Sequence, residues 1–288
     1  MAKTVSGAFE ELHTWLTPSA TELAAAASHR SSIETRLKAS FGLTTLFKSG
    51  SFGHGTSIRG VSDVDYMAVI PSANLADNST TALQNVRNDL SARFPSTAVT
   101  VRNPAVVVPF GTGGGEKHEI TPAYFIETKN GCPVYGISNR YAGWMKTSPH
   151  AHGAWINVIN DRLSKRVKPL IRFLKLWNYQ RSAGIRSFYL EMRVAEYAAG
   201  ESSIVYSIDV LRALRRLQSM ALASMQDPMG VSGLTFPCTD AVKPEALSKI
   251  DTAVSRAQRA VDAEKANNIP LAFAEWNQFF NSYFPKYG

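Results

Sequence analysis

Two acidic side chains stand at the entry to a short apolar run. Asp63 and Asp65 are separated by one valine and lead directly into residues 66–70. The run is partly β-branched and is closed by Pro71, which predicts a β-strand. Residues two apart on a strand point to the same face, so the two carboxylates are expected side by side. Like charges so close repel unless a cation lies between them, and hard oxygen ligands favour magnesium or manganese. The sequence therefore predicts a divalent-metal site at the mouth of this strand.

A glycine–serine turn supplies the second part of the chemistry. Gly50-Ser51 follows the apolar run 43–47 and precedes the acidic pair by a dozen residues. Glycine lets a backbone approach a ligand closely, and a helix N-terminus carries unpaired N–H groups that attract phosphate. Ser51 adds a hydroxyl group, and Gly53 and Gly55 are expected to keep the loop open. A phosphate-binding turn before metal-binding carboxylates predicts a nucleotidyltransferase; a β-turn before a solvated acidic strand end is the alternative.

Three short segments together resemble the nucleotidyltransferase superfamily: Gly50-Ser51, Thr56-Ser57-Ile58-Arg59 and Ser62-Asp63-Val64-Asp65. Within it, the chain is similar to the bacterial relatives of cyclic GMP-AMP synthase, the CD-NTases of CBASS anti-phage defence. The resemblance implies an α/β fold, namely a polymerase-β-like nucleotidyltransferase palm with a mixed sheet plus a C-terminal helical lobe. It also implies that Asp63 and Asp65 hold two Mg²⁺ or Mn²⁺ ions.

A third carboxylate is expected on a neighbouring strand, because a two-metal site needs one to hold the ion that activates the attacking hydroxyl. The sequence predicts a strand over 117–126, with Pro122 marking its exit or a sheet edge. The resemblance implies a third acid just before an apolar-x-Pro segment, a place that Glu119 fills. Related proteins more often carry aspartate there, which is one methylene shorter, and an exposed strand glutamate is the alternative. His118 points to the opposite face and is expected to be structural.

A long helical pattern over 154–180 carries two stripes, one apolar and one basic. The basic stripe consists of Lys165, Lys168, Arg172 and Lys175. A solvated basic face is the usual explanation of such a row. The resemblance implies instead that Lys175, in an apolar-Arg-x-x-Lys-x-Trp segment, contacts the nucleotide triphosphate. Pro169 inside the pattern is expected to kink the helix.

Ser187-Phe188 begins the next predicted helix. The resemblance implies that the serine contacts phosphates and that the ring stacks a base, a contact that contributes about 1–3 kcal/mol. A core position for Phe188 is the alternative. Asn157 and Asn160 lie where related proteins place a base-reading residue, and asparagine there is similar to the members that accept uridine. A pyrimidine-containing product is therefore one hypothesis.

The pattern along the whole chain predicts two domains. Residues 1–150 form an N-terminal helix and the nucleotidyltransferase catalytic lobe, and residues 151–288 form a helical nucleotide-binding lobe, with the active site between the two. The other predicted elements are two helices within 4–40, a helix over 77–92, a hairpin of 98–102 and 105–110, a glycine-rich connection at 111–115, a loop-rich segment 127–153, and helices over 207–225, 244–267 and 271–283.

Composition indicates which partners the protein binds and in which compartment it acts. The chain has 288 residues, with 31 basic and 23 acidic side chains and a formal charge of +8, which favours polyanionic partners. No apolar run of about 18 residues and no secretory leader is evident, and the two cysteines make neither a disulfide framework nor a zinc spacing. We therefore predict a cytoplasmic protein without membrane contact that binds nucleoside triphosphates and needs no nucleic acid.

The expected activity joins nucleoside triphosphates into a cyclic di- or oligonucleotide, with release of pyrophosphate. The resemblance also implies a downstream effector that binds the product, and a terminal Gly288 is compatible with C-terminal conjugation to a partner. Alternatives are a linear oligonucleotide synthase, a nucleotidyltransferase acting on a small molecule or protein, an enzyme activated by nucleic acid, and a silent binding module. The bases joined, the linkage, the ring size and the oligomeric state do not follow from the sequence.

Overall fold

The computed structural model describes residues 2–110, 116–139 and 141–288. Their contacts divide the chain into two compact units. The sheet unit comprises Pro18–Trp155 and Asp227–Gly233, and the helical unit comprises Met1–Thr17, Ile156–Gln226 and Leu234–Gly288. The division differs from a single boundary after residue 150, because the first helix groups with the helical unit and a short C-terminal segment groups with the sheet unit.

The sheet unit is built on a mixed sheet flanked by helices. Its elements are α2 (Ala20–Phe41), β1 (Thr45–Lys48), α3 (Gly50–His54), β2 (Val64–Val69), α4 (Ser79–Arg93), β3 (Thr100–Arg102), β4 (Ala105–Phe110), β5 (Glu116–Lys129), β6 (Cys132–Ser138) and β7 (Trp144–Thr147). The strands follow the order β1-β2-β5-β4-β3, with β6 paired to β5 and β7 to β6. Strands β2 and β5 are parallel, and the other pairs are antiparallel.

The apolar run after the acidic pair forms β2, and both of its faces are covered. Tyr66, Ala68 and Ile70 lie in one hydrophobic cluster, whereas Met67 and Val69 lie in a second one. A strand buried on both faces reads as a continuous apolar run rather than as an alternating one. Because both faces are buried, the register of β2 is fixed, and this register places Asp63 and Asp65 at the start of the strand.

The helical unit contains α1 (Val5–Leu16), the second half of α5 (Pro149–Arg162), α6 (Val167–Gln180), α7 (Ser187–Ala199), α8 (Tyr206–Ser219), α9 (Lys243–Lys265) and α10 (Ile269–Phe279). A two-stranded pair, β8 (Met225–Gln226) and β9 (Leu234–Thr235), flanks the segment that joins the sheet unit. Phe9 on α1 is fully buried and meets Phe173, Trp276 and Phe284 edge-to-face at ring-centroid distances of 5.0–5.3 Å. None of the described helices is long and apolar enough to cross a bilayer.

The predicted α/β class, with a mixed sheet and a helical lobe, is confirmed. The helices predicted within 4–40 and 77–92, the hairpin around Asn103-Pro104 and the three C-terminal helices are also found. The glycine-rich connection at 111–115 lies outside the described residues.

Three local predictions are wrong. Pro122 lies inside β5, where the strand exchanges its neighbour β4 for β6, and a residue without an N–H is tolerated at such a change of partner. The segment 127–153 is not mainly loop, because it contains β6 and β7. Pro169 does not kink a helix, since α6 begins at Val167 and the first turn has no intrahelical acceptor for its N–H groups.

A buried aspartate fixes the C-terminal segment that belongs to the sheet unit. The carboxylate of Asp227 pairs with His152 on α5, at 2.8 Å from Nε2, and both side chains are almost fully buried. It also accepts hydrogen bonds from the backbone N–H groups of Met229, Val231 and Ser232. Burial by itself raises the pKa of Asp227, but these hydrogen bonds together hold the pKa well below its ordinary value.

Candidate active site

The glycine–serine turn lies directly against one of the two predicted metal ligands. The backbone N–H of Ser49 donates to the carbonyl oxygen of Asp65 at 2.9 Å, which ties the turn to the start of β2. Gly50 has φ +52°, and a Cβ at this position would lie 2.2 Å from Asp65 Oδ2. Real Cβ atoms do not come that near, so the position of the Asp65 carboxylate requires glycine here.

A short helix, α3, lies where the glycine spacing predicted an open loop. Gly53 lies inside α3, where a Cβ would meet the carbonyl oxygen of Lys48 at 2.6 Å. Gly55 ends α3 in the left-handed conformation, with φ 72°. Ser51 is half-buried on the first turn, and its carbonyl oxygen accepts from the N–H of Thr56 at 2.8 Å. The glycines thus make close packing possible and do not hold a loop open.

The three predicted carboxylates come from two adjacent parallel strands. Asp65 and Glu119 are register partners on β2 and β5, and Asp63 stands one residue before β2. The side chains of Asp63 and Glu119 are 27% and 15% exposed, so they can reach a ligand while being partly shielded from water. His118, on the opposite face of β5, is fully buried beside the rings of Tyr66 and Phe110, as the strand alternation predicts. The sheet therefore brings together the acidic groups that the sequence singled out.

An arginine that the sequence reasoning missed joins two of these acids. The guanidinium of Arg102 donates to Asp63 Oδ2 at 2.9 Å and forms an ion pair with Glu119. Arg102 is the last residue of β3, two strands away from β5 in the sheet. The closeness of Asp63 and Asp65 indicates that a cation is needed, but only the strand order shows that Arg102 supplies one.

The residues present fit a divalent cation by the chemistry of their oxygen donors. Asp63 and Glu119 already converge on one cationic group, so a small cation can be shared between them. Asp65 stands beside Glu119, and carboxylate oxygens are the ligands that magnesium and manganese prefer. No group of three His, Cys, Asp or Glu side chains within 2–110, 116–139 and 141–288 makes a ready-formed metal cage. The acids would therefore have to adjust around an incoming ion.

Lys175 is buried in the helical unit rather than presented on a basic face. It is 5% exposed, and its Nζ donates to Glu191 Oε1 on α7 at 2.7 Å. Arg172, one turn earlier, is also buried and lies near His13 Nδ1 and Thr17 on α1. The solvated basic stripe is therefore wrong for these two residues, and a direct contact of Lys175 with a triphosphate stays a prediction.

The other predicted nucleotide contacts differ in their exposure. Ser187 is exposed at the first position of α7, and Phe188 after it is half-buried. Asn157 is exposed on α5, so it is accessible to a ligand. Asn160 is buried, and its Oδ1 accepts from the N–H groups of Val167 and Lys168 at 3.2 and 3.1 Å. Asn160 therefore caps the start of α6, and the base-reading role predicted for it stays a prediction.

Comparison with known proteins supports the nucleotidyltransferase assignment made from the sequence. The family model for the Second Messenger Oligonucleotide or Dinucleotide Synthetase (SMODS) domain matches residues 3–160. A probable cyclic nucleotide synthase of Bacillus cereus is 23% identical over 274 residues, which covers 83% of this chain and 81% of that protein.

Two solved structures of CdnC from Escherichia coli MS115-1 have the same fold. The structure with ATP gives a TM-score of 0.77 at 16% identity and covers 99% of both chains. The complex of CdnC with a HORMA protein gives a TM-score of 0.74 at 17% identity and covers 96% of both chains. Because the family model covers more than half of the sequence, the chain belongs to the SMODS family, the CD-NTase nucleotidyltransferases that synthesise cyclic nucleotide signals in CBASS defence.

Proposed function

We propose that the protein joins nucleoside triphosphates into a cyclic di- or oligonucleotide, in a reaction that depends on Mg²⁺ or Mn²⁺. A ribose hydroxyl of one nucleotide attacks the α-phosphorus of another, a P–O bond forms, and the bond to the pyrophosphate leaving group breaks. Repetition within one linear intermediate closes the ring. A downstream effector would then bind the cyclic product.

One observation carries the proposal: three carboxylates adjoin on β2 and β5, and the Gly50 turn lies in contact with one of them. Nucleotidyl transfer needs acidic groups for metal and a turn that approaches phosphate closely. The acidic groups and the turn both lie within the segment that matches the family model, which ends at residue 160, and this supports the proposal.

The residues of this chain take separate roles in the proposed reaction. Asp63 and Asp65 would hold two divalent ions, and Glu119 would hold the ion on the side of the attacking hydroxyl. When bound, such ions neutralise phosphate charge and lower the pKa of the nucleophile. Gly50 lets the backbone of the turn approach the leaving phosphates, and the Ser51 hydroxyl donates to them. Glu119 is longer than the aspartate common in related proteins, so its β5 backbone can lie slightly further from the ion.

The relatives support nucleoside triphosphates as substrates, because CdnC of E. coli was solved with ATP. Exposed Ser187 and Asn157 and half-buried Phe188 are the proposed contacts to phosphate and base. The CdnC complex with a HORMA protein also supports testing a HORMA protein as a partner of this chain. We expect basal activity without nucleic acid.

The test is product analysis with purified protein. Each nucleoside triphosphate is radiolabelled in turn, the other three are added unlabelled with Mg²⁺ or Mn²⁺, and the products are treated with phosphatase and separated. Asp63→Ala combined with Asp65→Ala is the inactive variant. Glu127→Ala is the matched control, because it removes an exposed carboxylate from the same β5 strand, where Glu127 pairs with Lys146 at 2.6 Å.

A phosphatase-resistant product that survives in Glu127→Ala and is lost in the double variant supports the proposal, and its labelling identifies the bases. Phosphatase-sensitive products would show a linear synthase instead. Product that forms only after duplex DNA or RNA is added would show a nucleic-acid-activated enzyme. Absence of product under all these conditions, including chelator-free Mn²⁺ and a HORMA partner, would overturn the proposal.

A further inference from the structure

The carboxylate cluster has a cationic partner of its own. We propose that Arg102 is a built-in counter-ion that occupies the cation position between Asp63 and Glu119 until a divalent metal displaces it. Arg102 would thereby set the metal concentration at which the site fills. This inference rests on the proposed metal-dependent function and assigns to that site a residue that competes for it.

The first step is the charge balance of the cluster. Asp65 and Glu119 are register partners, and Asp63 stands two residues before Asp65, so up to three negative charges adjoin. Such charges repel one another unless a cation compensates them. The Arg102 guanidinium contacts two of the three, Asp63 at 2.9 Å and Glu119 in an ion pair.

The second step is that the contacts of Arg102 and of a metal exclude each other. The guanidinium lies against both Asp63 Oδ2 and Glu119 Oε1, so an ion held between these two carboxylates would occupy the same space. A guanidinium has no acceptor atom and stays protonated at any pH of interest, so it cannot itself bind a metal. Entry of a divalent ion between Asp63 and Glu119 therefore requires the arginine to leave.

The third step is that Arg102 can leave at small cost, although its backbone is fixed. Its side chain is 62% exposed, and exposed ion pairs are weak. The next residue, Asn103, donates from Nδ2 to Ser138 Oγ at 2.7 Å and to the carbonyl oxygen of Asn139 at 2.9 Å. Ser138 Oγ lies 2.9 Å from Ser79 Oγ, so a buried polar network anchors the turn. The side chain can swing into water while its Cα stays in place.

The size of the effect follows from the two exposed ion pairs. Both involve an arginine side chain that is 62% exposed and are therefore weak, so removing the competitor should tighten metal binding by roughly three- to tenfold. Loss of the positive charge by itself works in the same direction, because a nearby cation repels a metal ion. A role of Arg102 as a mere structural link predicts no such gain in affinity.

The experiment measures Mn²⁺ binding directly, from the electron paramagnetic resonance signal of free Mn²⁺, in full-length protein without nucleotide. Arg102→Gln is compared with wild type, with Arg102→Lys and with Arg36→Gln. The last variant is the matched control, since it removes an arginine of the same unit that pairs with Asp89 at 2.6 Å. We expect three- to tenfold tighter binding in Arg102→Gln, no change in Arg36→Gln, and near wild-type affinity in Arg102→Lys, which keeps a cation.

Equal or weaker Mn²⁺ binding by Arg102→Gln overturns the inference, even if wild-type protein makes the cyclic product with metal. Tight Mn²⁺ binding that persists in Asp63→Ala combined with Asp65→Ala would overturn the metal site itself, and with it the proposed function. If Arg102→Gln unfolds below the assay temperature in a thermal melt, the Mn²⁺ affinities of Arg102→Ala and Arg102→Lys are compared instead. A gain in affinity for alanine but not for lysine then supports competition, and no difference between them refutes it.

Discussion

Replacing Gly50 by alanine should abolish most activity at a small cost in stability. Gly50 has φ +52°, and the added Cβ would lie 2.2 Å from Asp65 Oδ2 and 2.8 Å from its Cγ. Gly60 offers a matched control ten residues later, because it has φ +67° and a Cβ there would meet nothing within 4 Å. Both alanines carry the same backbone penalty, and only one meets a carboxylate.

The magnitudes follow from these distances. A left-handed conformation costs an alanine about 1–2 kcal/mol, so both variants should lose that amount of unfolding free energy. At position 50 the carboxylate must also move by about 1 Å to restore an ordinary contact, and a misplacement of this size can lower a rate about 100-fold. We therefore expect kcat/KM of Gly50→Ala to fall about 100-fold, and that of Gly60→Ala to stay near the wild-type value.

The assay pairs urea unfolding with the rate of pyrophosphate release from nucleoside triphosphates. Equal losses of unfolding free energy in the two variants would show that the backbone penalty is matched. If Gly50→Ala then retained the activity of Gly60→Ala, the contact between the turn and Asp65 would have no catalytic importance, and the arrangement of the site described above would be refuted.

Three further predictions concern polar and charged side chains. Lys175→Met should lower the free energy of unfolding by about 3–5 kcal/mol in urea melts, because it removes the ammonium that faces the buried Glu191; Lys175→Met with Glu191→Leu should recover part of the loss. Asp227→Asn should lower it by about 3 kcal/mol at pH 7. Folding lowers the pKa of the Asp227 carboxyl group, so the ionised carboxylate stabilises the fold fully above its ordinary pKa of 3.8. This stabilisation is lost as the pH falls further. The difference in unfolding free energy between Asp227→Asn and wild type should therefore shrink below about pH 4. Asn160→Ala should cost about 1 kcal/mol through the lost helix cap and leave the base composition of the product unchanged, whereas Asn157→Ala should change it.

Each of these has a simple refutation. Unchanged unfolding of Lys175→Met, with a weaker affinity for triphosphate, would return Lys175 to a direct nucleotide contact. A difference between Asp227→Asn and wild type that grows in acid would reverse the assigned direction of the pKa shift. An altered product from Asn160→Ala would show that its capping contacts are not its main role.

The acidic part of the site was predictable because it depends on short-range geometry. The alternation of a strand places Asp63 and Asp65 together, and a buried parallel partner explains why the apolar run after them is continuous. The placement of the third acid at Glu119 came from the resemblance, which implies an acid just before an apolar-x-Pro segment. The relation between Asp63 and Asp65 can be read from spacing, since it involves the local period of one strand.

The residues that were missed or misjudged depend on contacts between distant segments. Arg102 reaches Glu119 across one intervening strand, β4, and Asp63 across β4 and β5, and no spacing rule encodes that strand order. Helical periodicity identified the stripe containing Arg172 and Lys175, but it cannot show that α1 and α7 cover that side. The single helix predicted over 154–180 is divided into α5 and α6, and the capping role of Asn160 was hidden because the break between them was not predicted.

The interleaved path of the chain constrains how this protein can be divided. The sheet unit is not one continuous stretch, because Asp227–Gly233 returns to it after most of the helical unit has been traversed. A fragment ending at residue 155 would retain the buried His152 but lose Asp227, the carboxylate with which it pairs. Limited proteolysis between the units should therefore leave a nicked, associated protein rather than an independent catalytic fragment. During synthesis, the sheet unit reaches its complete form only after residue 233 has left the ribosome.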